Sequence, residues 1–357
     1  MKRCEKCGLV LIYPNATNQK EQKECNYCKG FKRRKFYGQQ ALLDRLGEKE
    51  TIGVTVSGGK DSLFVWHWLV EHIGADRVIA FNHRKNGAVH SLALDNMNSA
   101  AEILRTKFII IEDYEFYPRF KDNLNSYLNT PNPAVMRAVL CAGCRNGISN
   151  RIFEECKIYN IRKVVNGSSY LELAPFKGHH MAEFGMGSEI RGLLKGLMEN
   201  DEYLSQENLE VIIKDHFNCH DRDLSKKSNQ QYVDYIDFYD YFENKPKEAK
   251  ALVVNKLKWR HPENQTWRFD CIVEDYKQII YYAAYGYSEL DYKYSEMVRY
   301  GLLSREDAIA IVKRQNNELI NNKEKLEIQM LEFGFDEQLI NQFQEICKIA
   351  QIRGYSL

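Results

Sequence analysis

Apolar residues alternate with small or polar ones at Ile52, Val54 and Val56, the period of a strand. They then take up helical spacing at Leu63, Phe64, Trp66, Trp68, Leu69 and Val70. Gly58-Gly59 stands between the two rhythms, so the pattern predicts a buried strand, a sharp turn and an amphipathic helix running to about His72. The alternation recurs downstream. Arg77 to Asn82 predicts a second strand followed by a polar turn over 82–87, residues 91–104 a helix, and Lys107 to Glu112 a third strand. A helix over 148–159 leads to a further strand at Lys163-Val-Val-Asn166, which ends in Gly167-Ser168-Ser169. Strands alternating with helices belong in one parallel sheet, so the expected fold class is α/β, a doubly wound parallel sheet.

Outside that repeat the rhythm loosens. A short helix over about 36–47 precedes the first strand, and residues 183–232 read as mainly polar helices broken near their start by Gly185, Gly187 and Gly192. Asp234 to Phe242 reads as an aromatic packing stripe. Ser304 followed by Glu306 and Asp307 marks a helix start, and Leu319 to Leu357 reads as a charged helix and a shorter helical segment with Leu331, Phe333, Phe335, Leu339 and Phe343 facing inward. Three parts are expected: a cysteine-rich segment over 1–34, the α/β domain over 35–182, and a helical substrate or interaction region over 183–357.

With 357 residues and 44% hydrophobic content the chain can bury an α/β core and carry appendages. Its 50 Lys and Arg against 49 Asp and Glu give no overall basic field, so a nucleic-acid partner is not favoured and a small-molecule substrate is. The one dense basic run, Lys29 to Lys35, reads as a solvated linker. The first residues lack the apolar core of a signal peptide and no stretch approaches a membrane span, which points to a cytoplasmic protein without a membrane partner. Ten cysteines would make a poor disulfide framework in that reducing compartment and argue for metal or sulfur chemistry.

Cys4-Glu-Lys-Cys7 and Cys25-Asn-Tyr-Cys28 stand seventeen residues apart, the spacing of zinc ribbons and knuckles. Two thiolates on each of two tight turns close a tetrahedron with no open position, so Cys4, Cys7, Cys25 and Cys28 are the expected ligands of a structural Zn²⁺. So small a segment has little apolar content of its own, and the metal would supply the missing stability.

The turn after the first strand reads Ser57-Gly58-Gly59-Lys60-Asp61-Ser62. Adjacent glycines let a phosphate approach the backbone N–H groups at a helix N-terminus, and Lys60 adds a mobile positive charge. It is not the Gly-x-x-x-x-Gly-Lys-Ser/Thr loop. The six residues resemble the pyrophosphate (PP) loop of the N-type ATP pyrophosphatases. That superfamily includes GMP synthetase, NAD synthetase, tRNA lysidine synthetase and the tRNA thiolases, and its fold is adenine nucleotide α-hydrolase-like. The resemblance implies ATP and Mg²⁺ as cofactors, a loop that holds the leaving pyrophosphate while the α-phosphate is attacked, and a Gly-containing turn, here Gly167, that helps to enclose the nucleotide. Glu172 partly echoes the acidic residues usual after that turn. Asn82 and His83 fall at a strand's carboxyl end, where adenosine could be contacted in such a sheet.

The tail, with its Tyr285-Gly-Tyr turn and Gly301-Leu-Leu-Ser304-Arg-Glu-Asp-Ala308, is similar to that of the N-acetyl sugar amidotransferases of surface-polysaccharide assembly. Those proteins also open with paired Cys-x-x-Cys motifs before the loop. A third pair departs from them: Cys141-Ala-Gly-Cys144, read as lying between helices with a Gly143 turn, is similar instead to the thiolating branch. It is open between a sulfur-carrying pair, a partial iron–sulfur cluster site completed by Cys219 or Cys271, and two packed thiols. The expected reaction is adenylation of a substrate carbonyl or amide oxygen, followed by substitution. Ammonia from a separate glutaminase acting on an acetamido sugar is the first form; the alternative is sulfur from a donor protein, carried by Cys141 and Cys144. Lys60 and Asp61 act on the phosphates and Mg²⁺ in either. A non-catalytic nucleotide- and zinc-binding scaffold is the third possibility, and a homodimer is the default assembly for an enzyme of this size.

Overall fold

In the computed structural model the described residues are 1–17, 21–85, 87–114, 116–129, 131–134, 136–177, 179–180, 232–262 and 269–355. Cys219 and the polar helices expected over 183–231 fall outside them. Five strands form one sheet: β1 (Ile52–Thr55), β2 (Val78–Lys85), β3 (Lys107–Asp113), β4 (Lys163–Asn166) and β5 (Asp234–Asp237). Their order is β3-β2-β1-β4-β5 and every neighbouring pair is parallel, with Val54 opposite Ala80 on one side and Val165 on the other. The doubly wound parallel sheet expected from the alternation is what forms.

The helices that precede and connect the strands are α1 (Asn26–Lys29), α2 (Gln39–Leu46), α3 (Lys60–Ile73), α4 (Ser91–Leu104), α5 (Phe116–Asn129) and α6 (Met136–Ile158). Successive side chains of a strand point to opposite faces, and the burial follows. Ile52, Val54 and Val56 pack with Leu63, Trp66 and Leu69 of α3 and Met97 of α4 on one face. Ile79, Phe81 and Val164 pack with Ile152 and Phe153 of α6 on the other. From β1 the chain winds outward through β2 to β3, then returns to the far side of β1 for β4. The strand order therefore reverses between β1 and β4, the place where an open α/β sheet leaves a crevice for a ligand.

Beyond the sheet come α7 (Pro246–Leu257), α8 (Val273–Tyr285), α9 (Glu289–Arg299), α10 (Arg305–Asn321), α11 (Lys323–Glu332) and α12 (Glu337–Tyr355). Ser288 begins α9 through a capping box with Asp291, and Ser304 accepts from the Asp307 N–H at 3.1 Å to begin α10, as its sequence signal indicates. Helices α8 to α12, α5 and the cysteine-rich segment share a third core around Tyr13, Phe176, Tyr276, Tyr281 and Phe343, while Val253 and Leu257 of α7 join the core beside α3.

Four details differ from the sequence reading. Strand β2 continues to Lys85 because β3 pairs with it along that whole length, so Asn82 and His83 sit in a strand and not in a turn. Helix α6 is one element from Met136, and Cys141 and Cys144 lie inside it: Gly143 costs a helix only about 1 kcal/mol, which flanking turns absorb. The aromatic stripe contributes a strand, β5, whose Ile236 is buried against β4. Leu331 is 63% exposed, while Phe335, Leu339 and Phe343 are buried as expected.

Candidate functional site

The Ser57–Ser62 loop closes the carboxyl end of β1 at the point of reversal, and its conformation is specified from several directions. Gly58 has φ +81°, and a Cβ there would lie 2.3 Å from the Ala93 carbonyl oxygen of α4, so only glycine fits. The Gly58 carbonyl accepts from Trp259 Nε1–H at 2.9 Å. Asn96, buried on α4, holds the segment after α7 in place by donating to Arg260 O at 2.8 Å and accepting from Arg260 N–H at 2.9 Å. Within the loop the Ser57 N–H donates to Ser62 Oγ at 3.1 Å, and Ser62 Oγ donates to Gly59 O at 3.0 Å. Gly59, with no side chain, is the N-cap of the 14-residue α3, and no cap side chain occupies that helix terminus. The unclaimed N–H groups and helix dipole of such an end attract an anion.

Gly167 closes the other wall. A Cβ on it would stand 3.1 Å from Ser62 Cα, so the turn after β4 lies directly against the first turn of α3. Asp61 is anchored between the two walls. Tyr239 donates to Asp61 Oδ1 at 3.3 Å, and Asn244 Nδ2 donates to the same oxygen at 3.4 Å and to Ser169 Oγ at 2.8 Å. Burial, with Asp61 adding to it, pushes the Tyr239 hydroxyl well above its ordinary pKa, so it stays a donor. Lys60 Nζ pairs with Asp61 Oδ2. The loop thus presents a helix end, small residues, one lysine and one carboxylate, a set that fits a phosphate chain with its divalent cation.

Asn82 lies beside the loop, but its amide donates to Val56 O at 2.7 Å and so fastens β2 to the end of β1. His83 is buried on the opposite face of the strand, with Nε2 3.6 Å from Asp113 Oδ2. Trp259, Asn96, Tyr239 and Asn244 are not legible as loop partners in the sequence because each is far from the loop along the chain; only the polar Asn96 amid the apolar face of α4 offers a signal.

The four N-terminal cysteines converge. Their sulfurs all lie within 4.8 Å of one another, with Cys4 Sγ 3.8 Å from Cys28 Sγ and Cys7 Sγ 3.6 Å from Cys25 Sγ. Metal–sulfur bonds of ~2.3 Å in a tetrahedron put neighbouring sulfurs ~3.8 Å apart, so the geometry fits a mononuclear metal. Gly8, at φ +76°, makes the first knuckle turn, and hydrogen bonds from Cys28 and Cys7 draw the Cys25 thiol down to about 4. The segment is also docked: Arg299 of α9 donates to Cys7 Sγ at 3.3 Å and Arg305 of α10 to Cys4 O at 3.0 Å.

Two further thiols lie against one core. Cys141 of α6 and Cys271, just before α8, pack against the same core, and Cys141 is near enough to raise the thiol pKa of Cys271. Burial is the larger cause of that rise. Lys85 opposes it from the end of β2, where its ammonium donates to Asp270 O at 3.1 Å. Cys144 is one helical turn from Cys141 in the same helix.

No protein-family model matches the chain, and no curated protein does. Among solved structures it is similar to the U34-tRNA thiolase NcsA from Methanococcus maripaludis with its 4Fe-4S cluster, at 16% identity and a TM-score of 0.36. The match covers 87% of this chain and 88% of that one. That likeness is too slight to carry a reading of the site. Among the described residues no helix is long and apolar enough to cross a membrane.

Proposed function

We propose that the chain is an ATP-dependent adenylating enzyme that forms AMP and pyrophosphate and delivers sulfur to the activated carbon. The Ser57–Ser62 loop, seated at the strand-order reversal with its helix end uncapped, supports the adenylation half. A substrate carbonyl or amide oxygen attacks the α-phosphorus, a P–O bond forms, and pyrophosphate leaves into the loop. The loop N–H groups and Lys60 stabilise its charge, and Asp61 would share Mg²⁺. Hydrosulfide then adds to the carbon and AMP departs with the oxygen, leaving a thioamide or thiocarbonyl after loss of a proton.

Sulfur is favoured over ammonia by one observation: Cys141 of α6 and Cys271, 130 positions further along the chain, pack against the same core, an association of thiols that ammonia transfer does not use. Cys141 and Cys271, with Cys144 further along α6, are the residues that would hold an iron–sulfur cluster, which would supply an iron able to take up hydrosulfide. Lys85 offsets part of the burial that raises the Cys271 thiol pKa. The Cys4 site is read as structural Zn²⁺.

The test is product analysis with sulfide or ammonia as nucleophile. Wild type is expected to yield AMP and pyrophosphate, and the Cys141→Ser, Cys271→Ser double variant to lose sulfide-dependent product while still binding ATP. ADP and phosphate as products would overturn adenylation. Ammonia-dependent turnover that survives the double substitution would return the N-acetyl sugar amidotransferase reading that the tail supports.

A further inference from the structure

Helix α9 is occupied on two sides. On one, Asp291 takes an ion pair from Arg3 at 3.1 Å, Tyr292 stacks on Tyr13 with ring centroids 5.6 Å apart, and Arg299 reaches Cys7; all three contacts go to the cysteine knuckle. On the other, Lys293 Nζ stands 3.0 Å from Glu172 Oε1, the two side chains being only 16% and 26% exposed. Glu172 closes the short 3-10 turn that begins at Ser169, and Ser169 is the residue that Asn244 ties to Asp61. Lys293 is therefore held at the β4 wall of the same crevice that the loop occupies. Its neighbour Tyr294 is close enough to Lys60 for that cation to offset part of the burial that raises its hydroxyl pKa.

The charge balance of the crevice shows what such a lysine is for. A nucleoside triphosphate brings up to four negative charges, whereas the loop offers one cation, Lys60, already paired with Asp61. Backbone N–H groups take part of that charge, but a second ammonium within reach would take more, because charge-assisted hydrogen bonds to phosphate are the stronger kind. Lysine suits this role because it is a point charge on a flexible stem, able to exchange a carboxylate partner for a phosphate oxygen without losing its surroundings.

We infer that Lys293, carried by the C-terminal helix α9, is a second phosphate-binding cation of the nucleotide site and that its ion pair with Glu172 holds it ready. This rests on the adenylation reading above.

Titration calorimetry of the full chain with Mg²⁺ and a non-hydrolysable ATP analogue tests it, with metal content and melting temperature recorded for each variant. Lys293→Met, which keeps the stem, is expected to weaken binding by roughly tenfold to a hundredfold, the worth of one charge-assisted hydrogen bond, with metal content unchanged. Lys293→Arg should stay within about threefold of wild type, since it keeps the charge. Glu172→Gln decides between ligand contact and packing: it weakens the ion pair with Lys293, so affinity should hold or rise. Equal weakening by Lys293→Met and Glu172→Gln would mean that the pair only braces the wall, and would overturn the inference; so would Lys293→Met binding within twofold of wild type. Should Lys293→Met not fold, Lys293→Gln carries the same comparison. Absence of binding by wild type itself would instead remove the adenylation reading and this inference with it.

Discussion

Adjacent glycines in the loop serve different ends. Gly58 is fixed by its own backbone, at φ +81° with its Cβ position 2.3 Å from the Ala93 carbonyl oxygen, while Gly59 has an ordinary φ of −76° and would meet only Ser57 Oγ at 3.4 Å. Gly58→Ala is expected to destabilise the protein by about 2–5 kcal/mol, the sum of left-handed strain and a clash with a helix backbone that cannot move alone. Gly59→Ala should leave stability nearly unchanged in denaturant titrations and yet weaken nucleotide binding, because its methyl would stand where phosphate approaches the helix end. If both variants lost stability equally, Gly59 would be a packing glycine and the loop would have no phosphate-facing side. The motif was legible in the sequence because its six residues are contiguous; what locks it was not, since Trp259 reaches Gly58 from 201 positions away.

At the level of elements, the cysteine knuckle, expected to have little apolar content, buries Leu9, Val10 and Tyr13 in the third core and is joined to α9 and α10 also through Arg3, Arg299 and Arg305. The convergence of its four cysteines was readable from spacing alone, as were α3 and α4, whose apolar stripes are long and regular. The pairing of α9 with the knuckle was not, because a helix that presents charged residues on two sides looks solvated in a one-dimensional pattern. Removal of the metal by a thiol-selective chelator, or Cys25→Ser, is expected to leave mutually repelling or unsatisfied sulfurs and to release the segment. Amide exchange should then rise in residues 1–17 and along α9, with little change in β1, β2 and α3. Protection of α9 that survived metal loss would show that the helix is held by α8 and α10 alone.

For the whole molecule, the α/β alternation announced the sheet and its parallel sense, but the fifth strand escaped because β5 has four residues and its aromatic neighbours mask the period. Short elements paired by tertiary contact are the ones that local pattern cannot decide. Cys271 was one of two candidate partners for Cys141 in the sequence, and the choice between it and Cys219 could not be made there because it depends on how α8 packs against α6. The two cores flanking the sheet and the third around the knuckle also bury titratable groups, and these set how the stability of the entire chain responds to acid. Burial lowers the pKa of His67 on α3 and of His261 near the loop's Trp259 below the ordinary 6.5. Glu71 partly counters the effect at His67, and a backbone bond to Pro262 does so at His261. With the folded value lowered, the unfolded chain binds more protons between the two values, so stability rises with pH across that window. Nothing is lost above about pH 7; the penalty sets in as pH falls through the unfolded value and levels off once the folded histidines are themselves protonated. Melting temperature is therefore expected to fall from pH 7.5 to pH 5.5, and His67→Gln, which cannot take up a proton, should reduce that slope even if it lowers the melting temperature at pH 7.5. An unchanged slope in His67→Gln would place the acid sensitivity elsewhere than in the packing of α3 against the sheet.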